Sequence, residues 1–98
     1  MVAYVINDME VTDPQRLEEY KKLSPPVVAQ YGGRFLARGG RCETIEGGWS
    51  PKRLVILEFP SFEQAKAWLD SPEYAPARRM RQQASRSNIV VLDGVPPT

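Results

Sequence analysis

The chain has 98 residues, of which 42% are apolar and 26% are charged, with one Cys and no His. This length fits a single domain with a modest core. A formal net charge of +1 speaks against duplex nucleic acid as a partner. The lack of His excludes His-based triads and His ligands for haem, zinc or iron, and one Cys excludes an internal disulfide or a thiolate cluster. We therefore expect no metal site, no cofactor and no nucleic-acid partner.

No stretch of the sequence is typical of a targeting or membrane segment. The first eight residues have no basic region and already include Asp8, which is unlike a signal peptide. The apolar runs are only a few residues long, far shorter than a membrane span. Together with the single Cys, this composition predicts a protein of the reducing cytoplasm with no membrane partner.

The first half of the chain predicts a strand, a helix and further strands. Residues 2–9 are rich in Val, Ile and Tyr, which favours a strand. Asp13 and Pro14 are typical of the start of a helix. Pro25-Pro26 conflicts with an unbroken helix, so we expect a kink or a restart capped by Ser24. Further strands are predicted at 34–38 and 53–59, with a strand or ribbon at 42–46.

The second half predicts two helices and a last strand. Ser61 and Gln64 fit a capping box that opens a helix through about Asp70. Ser71 begins a second helix, which extends through about residue 85, and residues 88–93 form the final strand. The order β-α-β-(β)-β-α-α-β predicts a ferredoxin-like α+β domain over residues 1–95, an antiparallel sheet with helices on one face, and a tail at 96–98.

Both faces of this predicted sheet are apolar. In strand 53–59, Glu58 shares a face with Leu54 and Ile56, and the alternate positions are apolar as well. Residues 89–92 are apolar on both faces. The helices can cover only one face, so we expect a homodimer that packs sheet against sheet. A monomer with a mildly apolar open face is the alternative.

The sequence resembles the uncharacterised DUF1330 family of the dimeric alpha–beta barrel superfamily. The matching segments are YVI at 4–6, TDP at 12–14, YGGRF at 31–35, ARGG at 37–40, EGGW at 46–49, RLVILEFPS at 53–61, AKAW at 65–68 and SPEY at 71–74. The resemblance implies a ferredoxin-like subunit that dimerises through its sheet into a barrel. It implies no substrate and no catalytic set. Pro25-Pro26 is a local departure from the family pattern.

Glu58 is the first candidate for acid–base chemistry because it lies in an apolar strand and no His is available. A buried carboxylate needs a partner, and burial raises its pKa. The candidate partners are Arg38, Arg41, Arg53 and Arg81. Such a pair fits either a cleft that serves catalysis or binding, or a structural bridge between strands or subunits.

The remaining candidates are residues suited to a small-molecule cleft between sheet and helices. The predicted ligand-binding set is Tyr4, Asn7, Arg38, Glu58, Trp68, Tyr74 and Arg81. Tyr74 follows a helix start, where free amides favour anions. Trp68 is equally suited to packing in the core. Trp49, in a glycine-rich loop, is expected at an interface or as a lid over the pocket, and Cys42 is expected to be a small packing residue.

Three functions follow from these residues. The first is a homodimeric barrel that binds a small organic or anionic ligand. The second is a cofactor-independent oxygenase- or isomerase-like enzyme with a carboxylate as acid or base, by analogy with the superfamily. The third is a purely structural or interaction module, which predicts no polar-lined pocket.

Overall fold

One four-stranded sheet with helices on one side makes up the fold in this computed structural model, which describes residues 1–97. The elements follow in the chain as β1 (Ala3–Val11), α1 (Pro14–Gln30), β2 (Arg34–Arg38), β3 (Leu54–Phe59), α2 (Phe62–Asp70), α3 (Ala75–Ala84) and β4 (Ser85–Asp93). The predicted tail at 96–98 begins with two exposed prolines without regular structure, and Thr98 lies outside the described residues.

The strand order is β2-β3-β1-β4, and every neighbouring pair is antiparallel. With α1 after β1 and α2 and α3 before β4, this is the ferredoxin-like α+β arrangement, so the predicted fold class is confirmed. The final strand begins at Ser85, three residues earlier than the sequence predicts, because it pairs with β1 up to Val11.

Side-chain caps begin α1 and α2 where the sequence predicts them. Asp13 Oδ1 accepts the amide of the third residue of α1 at 3.1 Å, and Ser61 Oγ accepts Gln64 N at 3.0 Å. Each cap satisfies an amide that has no partner inside its own helix. The helix expected to begin at Ser71 begins only at Ala75, because residues 72–74 form a turn in which Ser71 Oγ accepts Tyr74 N at 3.1 Å.

The first helix continues unbroken through Pro25 and Pro26, so the restart expected at Ser24 is wrong. Proline has no amide hydrogen, and Pro25 therefore leaves the carbonyl of Lys21 without its helical donor. Arg38 of β2 takes the place of that donor, since its Nη2 donates to Lys21 O at 2.9 Å. A contact from a distant strand thus compensates for the proline, which the local sequence could not indicate.

The core lies between the sheet and the helices, on what we call the covered face. Every second residue of the central strands is buried there: Ala3, Val5, Asn7 and Met9 from β1, and Val55, Leu57 and Phe59 from β3. Trp68 of α2 stacks on Phe59 with ring centroids 5.1 Å apart, and its ring centroid lies 4.4 Å from that of Tyr74. Trp68 therefore packs in the core, which is one of the two roles predicted for it, the other being ligand binding.

The opposite side of the sheet, the open face, carries no helix. Its side chains include Tyr4, Ile6, Asp8, Leu54, Ile56, Glu58, Val90 and Leu92. Val90 and Leu92 are 56% and 53% exposed. The molecule is a slab of 41 × 38 × 17 Å, the thickness of one sheet with one helix layer. The prediction that both faces of the sheet are apolar is confirmed.

Residues 39–53, the arm, connect β2 to β3 as an irregular and mostly exposed segment. The strand or ribbon expected at 42–46 is therefore wrong, because those residues pair with no strand among residues 1–97. Cys42 is exposed, so its predicted packing role is wrong as well. Trp49 holds the arm to the open face: its Nε1 donates to Asp8 Oδ2 at 2.8 Å.

Across residues 1–97, none of the helices combines the length and the apolar character needed to cross a membrane.

Candidate functional site

A row of side chains across the covered face forms the floor of a small cavity. The register places Ile89, Asn7, Val55 and Arg38 side by side on β4, β1, β3 and β2. Arg53 lies one step further along, where its carbonyl accepts Met9 N at 2.9 Å. Because alternate residues of a strand share a face, all of these side chains point toward the helices.

Helix residues close this cavity from above. The central cavity is lined by Val5, Asn7, Met9, Tyr20, Lys21, Phe35, Arg38, Arg53, Val55, Leu57, Trp68, Tyr74 and Ile89. Its volume is about 20 Å³, enough for one or two water molecules. Most of the lining is apolar, and the polar groups are few and individually placed, as in small-molecule sites.

The inner end of the cavity carries two tyrosines that share a hydrogen bond. The hydroxyls of Tyr20 and Tyr74 lie 2.7 Å apart, and Arg81 Nε donates to the Tyr74 hydroxyl at 3.3 Å. Burial raises the pKa of Tyr74 far above its ordinary value, and the neighbouring Tyr20 raises it further, against a smaller opposing effect of Arg81. Tyr74 is thus a neutral hydrogen-bonding group rather than a base.

Two other buried groups at the cavity have no partner within residues 1–97. They are Asn7 Oδ1, an acceptor, and Trp68 Nε1, a donor. Asn7 is 5% exposed and Trp68 is 3% exposed. A buried polar atom without a hydrogen bond costs about 1–3 kcal/mol, so an acceptor and a donor left free beside one cavity call for a ligand or water.

Cationic groups surround the outer end of the cavity. Arg38 is exposed, while Lys21 and Arg53 are partly exposed. Burial lowers the pKa of Arg53, and the positive charge of Arg38 lowers it further. Glu18 balances part of this charge through its salt bridge to Lys21 at 3.2 Å. Two guanidinium groups therefore remain at the entrance without a carboxylate partner in the described part of the chain.

Arg38 spans the outer end of the cavity between β2 and α1. Its guanidinium carbon lies 4.5 Å from the centre of the Phe35 ring on its own strand, and its Nη2 donates to Lys21 O on α1. Its side chain is part of the cavity lining.

The structure brings together five of the seven predicted ligand-binding residues. Asn7, Arg38, Trp68 and Tyr74 line the central cavity, and Arg81 contacts Tyr74 from behind it.

The other two predicted residues lie on the opposite side of the sheet. Tyr4 and Glu58 are paired neighbours on the open face. Glu58 bonds to Arg34 at 3.3 Å, and not to any of the expected partners Arg38, Arg41, Arg53 or Arg81 within residues 1–97. The expectation that Glu58 shares a cleft with the other candidates is therefore wrong, since strand alternation turns it away from them.

Among the polar lining residues, the sequence gives no indication of Lys21, because its position depends on how α1 lies over the edge of the sheet. Tyr20 is among the aromatic residues that could line an apolar pocket, and the structure places it there. Arg53 is expected only as a partner of Glu58, but it shares a face with Val55 and Leu57, opposite Glu58, and lines the cavity.

Comparison with known proteins identifies relatives of uncharacterised function. A family model described as "Domain of unknown function (DUF1330)" matches residues 2–95. No curated protein is significantly similar to the chain.

Several solved structures are similar to this chain. One is a protein of unknown function from Rhodopseudomonas palustris, with 21% identity and a TM-score of 0.74, covering 98% of this chain and 84% of that one. A dimeric ferredoxin-like protein of unknown function from Jannaschia sp. CCS1 has 16% identity and a TM-score of 0.71, covering 96% of this chain and 100% of that one.

A third similar structure is SnoaB, a cofactor-independent oxygenase from Streptomyces nogalater. It has 14% identity and a TM-score of 0.64, covering 98% of this chain and 94% of that one. At these identities the likeness extends to the fold alone.

Proposed function

The chain belongs to the DUF1330 family, a domain of unknown function, and from its own geometry we propose that it is a homodimer that binds small organic anions in the central cavity. The observation that carries the proposal is the unbalanced charge at the entrance. Arg38 and Arg53 stand over an apolar cavity whose lining, among residues 1–97, includes no carboxylate. Such a site attracts an anion and desolvates its apolar part.

The closed cavity is too small for an organic acid, so binding requires the entrance to open. Lys21, Arg38 and Arg53 have long, flexible side chains, and the arm that leads into Arg53 is mostly exposed. An incoming carboxylate offers Arg38 a charged acceptor in place of the Lys21 carbonyl, and charge-assisted hydrogen bonds are stronger than neutral ones. The ligand itself thus supplies the free energy that opens the entrance.

The test is thermal unfolding in the presence of benzoate or of benzamide, which has nearly the same shape but no charge. At ten times its dissociation constant, benzoate stabilises the folded state by about 1.4 kcal/mol and raises Tm by several degrees. Benzamide has a much smaller effect. Arg53→Met abolishes the stabilisation by benzoate, whereas Arg79→Met, at an exposed position on α3, leaves it unchanged.

Equal shifts with benzoate and benzamide would refute anion recognition. The absence of a shift with every carboxylate tried would favour the third alternative, a structural or interaction module.

The proposed dimer covers the open face of one subunit with that of another. Exposed apolar side chains on both edge strands support it, since Leu36 on β2 is 46% exposed and Leu92 on β4 is 53% exposed. The similar protein from Jannaschia is described as dimeric. A slab only 17 Å thick lacks a second layer, and packing two sheets face to face supplies one.

A second candidate function is cofactor-independent oxidation of a bound organic anion by O2. It is supported by the description of SnoaB and by the positive entrance, which stabilises a deprotonated, electron-rich substrate. In such a reaction the substrate supplies all four electrons, one oxygen atom enters the product and the other leaves as water. Glu58 cannot be the base for a substrate in this cavity, because it lies on the open face.

An oxygen electrode separates the two candidates. Binding without O2 consumption by any stabilising ligand supports the binding function, and consumption that depends on Arg53 supports the oxygenase.

A further inference from the structure

We infer that the preferred ligand is an aromatic carboxylate that bears a hydroxyl group opposite its carboxylate. This inference rests on the proposed function and specifies its substrate class. The carboxylate binds Arg38 and Arg53 at the entrance, the ring lies between the aromatic walls, and the hydroxyl reaches Asn7 and Trp68.

The charged and neutral ends of the cavity are separated by a distance that one ring can span. Asn7 pairs with Val55, and Arg53 lies two residues before Val55 on the same face of β3. Two residues correspond to roughly 7 Å along a strand. Arg38 is on the other side of Val55, so the Asn7 and Arg38 backbones are two strand spacings, or about 10 Å, apart. A benzene ring with substituents at opposite positions spans a separation of this size once the entrance has opened.

The neutral end requires a group that both donates and accepts. Asn7 Oδ1 is a free acceptor and Trp68 Nε1 is a free donor, and both residues line the cavity. A hydroxyl group donates one hydrogen bond and accepts others, so it satisfies both atoms. A methyl group of similar size leaves both unsatisfied.

The walls of the cavity favour a flat ring. Phe35 lies at the charged end, next to Arg38, and Trp68 and Tyr74 lie at the neutral end. Aromatic side chains pack best against another ring in offset or tilted contact. A saturated ring of the same size is thicker and gains less from these contacts.

The inference is tested by calorimetric titration of the unmodified protein with 4-hydroxybenzoate, 4-methylbenzoate and cyclohexanecarboxylate. We expect 4-hydroxybenzoate to bind about tenfold more tightly than 4-methylbenzoate, because its hydroxyl satisfies the two free groups. Cyclohexanecarboxylate binds most weakly. Equal affinity for the hydroxy and methyl acids would overturn the inference and leave the proposed function standing, since Asn7 and Trp68 would then hold water instead. Failure of all three acids to bind would overturn the proposed function itself.

Variants show whether Asn7 is the group that recognises the hydroxyl. Asn7→Leu keeps the size of the side chain and removes the acceptor but leaves the Trp68 donor, so its preference for the hydroxy acid over the methyl acid should fall to about threefold or less. The control is Asn88→Leu at the other asparagine of the chain, which lies on the open face and should keep the tenfold preference. An undiminished tenfold preference in Asn7→Leu would contradict the assignment. If Asn7→Leu fails to fold, the ligand series on the unmodified protein still decides the inference.

Discussion

Tyr74 contacts all three helices at the inner end of the cavity, two of them through its hydroxyl and one through its ring. The hydroxyl shares a hydrogen bond of 2.7 Å with Tyr20 on α1 and accepts another from Arg81 on α3. The ring of Tyr74 lies against Trp68 on α2. Tyr74 is fully buried, so this hydroxyl has no water to replace either partner. Losing it leaves the buried hydroxyl of Tyr20 and the buried Nε of Arg81 without this partner.

Tyr74→Phe therefore destabilises the fold by about 1–3 kcal/mol at neutral pH, measured by urea unfolding. Tyr31→Phe is the control, because the Tyr31 hydroxyl donates to Glu73 at the exposed surface. Burial raises the pKa of Tyr74 in the folded state, so its contribution is complete below the unfolded pKa, about 10, and is lost as the pH rises above it. The difference between wild type and variant should shrink between neutral pH and strongly alkaline pH. A constant difference would contradict this assignment.

Glu58 lies on the open face, where it forms an ion pair with Arg34 that joins β3 to β2. Its side chain is 22% exposed and that of its partner Arg34 is 70% exposed, and exposed pairs of this kind contribute less than about 1 kcal/mol. Glu58→Gln should therefore change the free energy of unfolding by less than that amount and leave benzoate affinity unchanged. Loss of ligand binding in this variant, with the fold intact, would restore Glu58 as a site residue.

At the scale of elements, one hydrogen bond joins the first helix to the edge strand β2 at the entrance of the cavity. Pro25 removes a helical donor from the Lys21 carbonyl, and Arg38 supplies a donor from β2. The proline is thus linked to the cavity through one carbonyl oxygen. A helix without Pro25 has an amide of its own for that carbonyl and holds Arg38 less firmly.

Pro25→Ala should accordingly stabilise the helix, by up to about 3 kcal/mol, and also release Arg38 from Lys21. We expect a higher Tm together with faster association of benzoate, followed by stopped-flow fluorescence of Trp68. Pro76→Ala is the matched control, because Pro76 occupies the first turn of α3, where an amide has no helical partner. An association rate equal to that of wild type would show that Arg38 does not limit entry.

The elements themselves could be predicted where the signal is local. The caps at Asp13 and Ser61 lie within three residues of the amides they satisfy. The alternation in β3 indicates two apolar faces. The unbroken α1 could not be predicted, because the partner of the Lys21 carbonyl comes from another element.

In the candidate site, too, only the features set by neighbouring residues in the sequence could be predicted. Alternation along β1 separates Tyr4 from Asn7, and alternation along β3 separates Glu58 from Arg53, so these residues could have been sorted into two faces. Which face the helices cover depends on the register between β1 and β3 and on the packing of α1. The grouping of Tyr4 and Glu58 with the cavity residues failed at that step.

At the scale of the whole molecule, the covered face carries the cavity and the open face carries no helix. The sheet therefore separates the proposed binding site from the proposed dimer interface. The arm extends from the edge of the sheet, with Trp49 60% exposed and Ile45 89% exposed. In the proposed dimer, these side chains are available to pack against the partner.

Light scattering after gel filtration should give a mass of about 22 kDa, twice the 11.1 kDa of one chain. Leu92→Glu places a charge on the open face, within the proposed interface, and should yield the single-chain mass. Arg79→Glu, on the helix side, should remain dimeric. A wild-type mass of one chain at micromolar concentration would refute the dimer but not the cavity.

Amide NMR of the labelled protein titrated with benzoate is the decisive test of whether an organic anion binds in the cavity on the covered face. We expect shifts concentrated at Asn7, Arg38 and Arg53, with the amides of Val90 and Leu92 unaffected. Spectra that do not change at millimolar benzoate, or shifts centred on the open face, would contradict binding in this cavity.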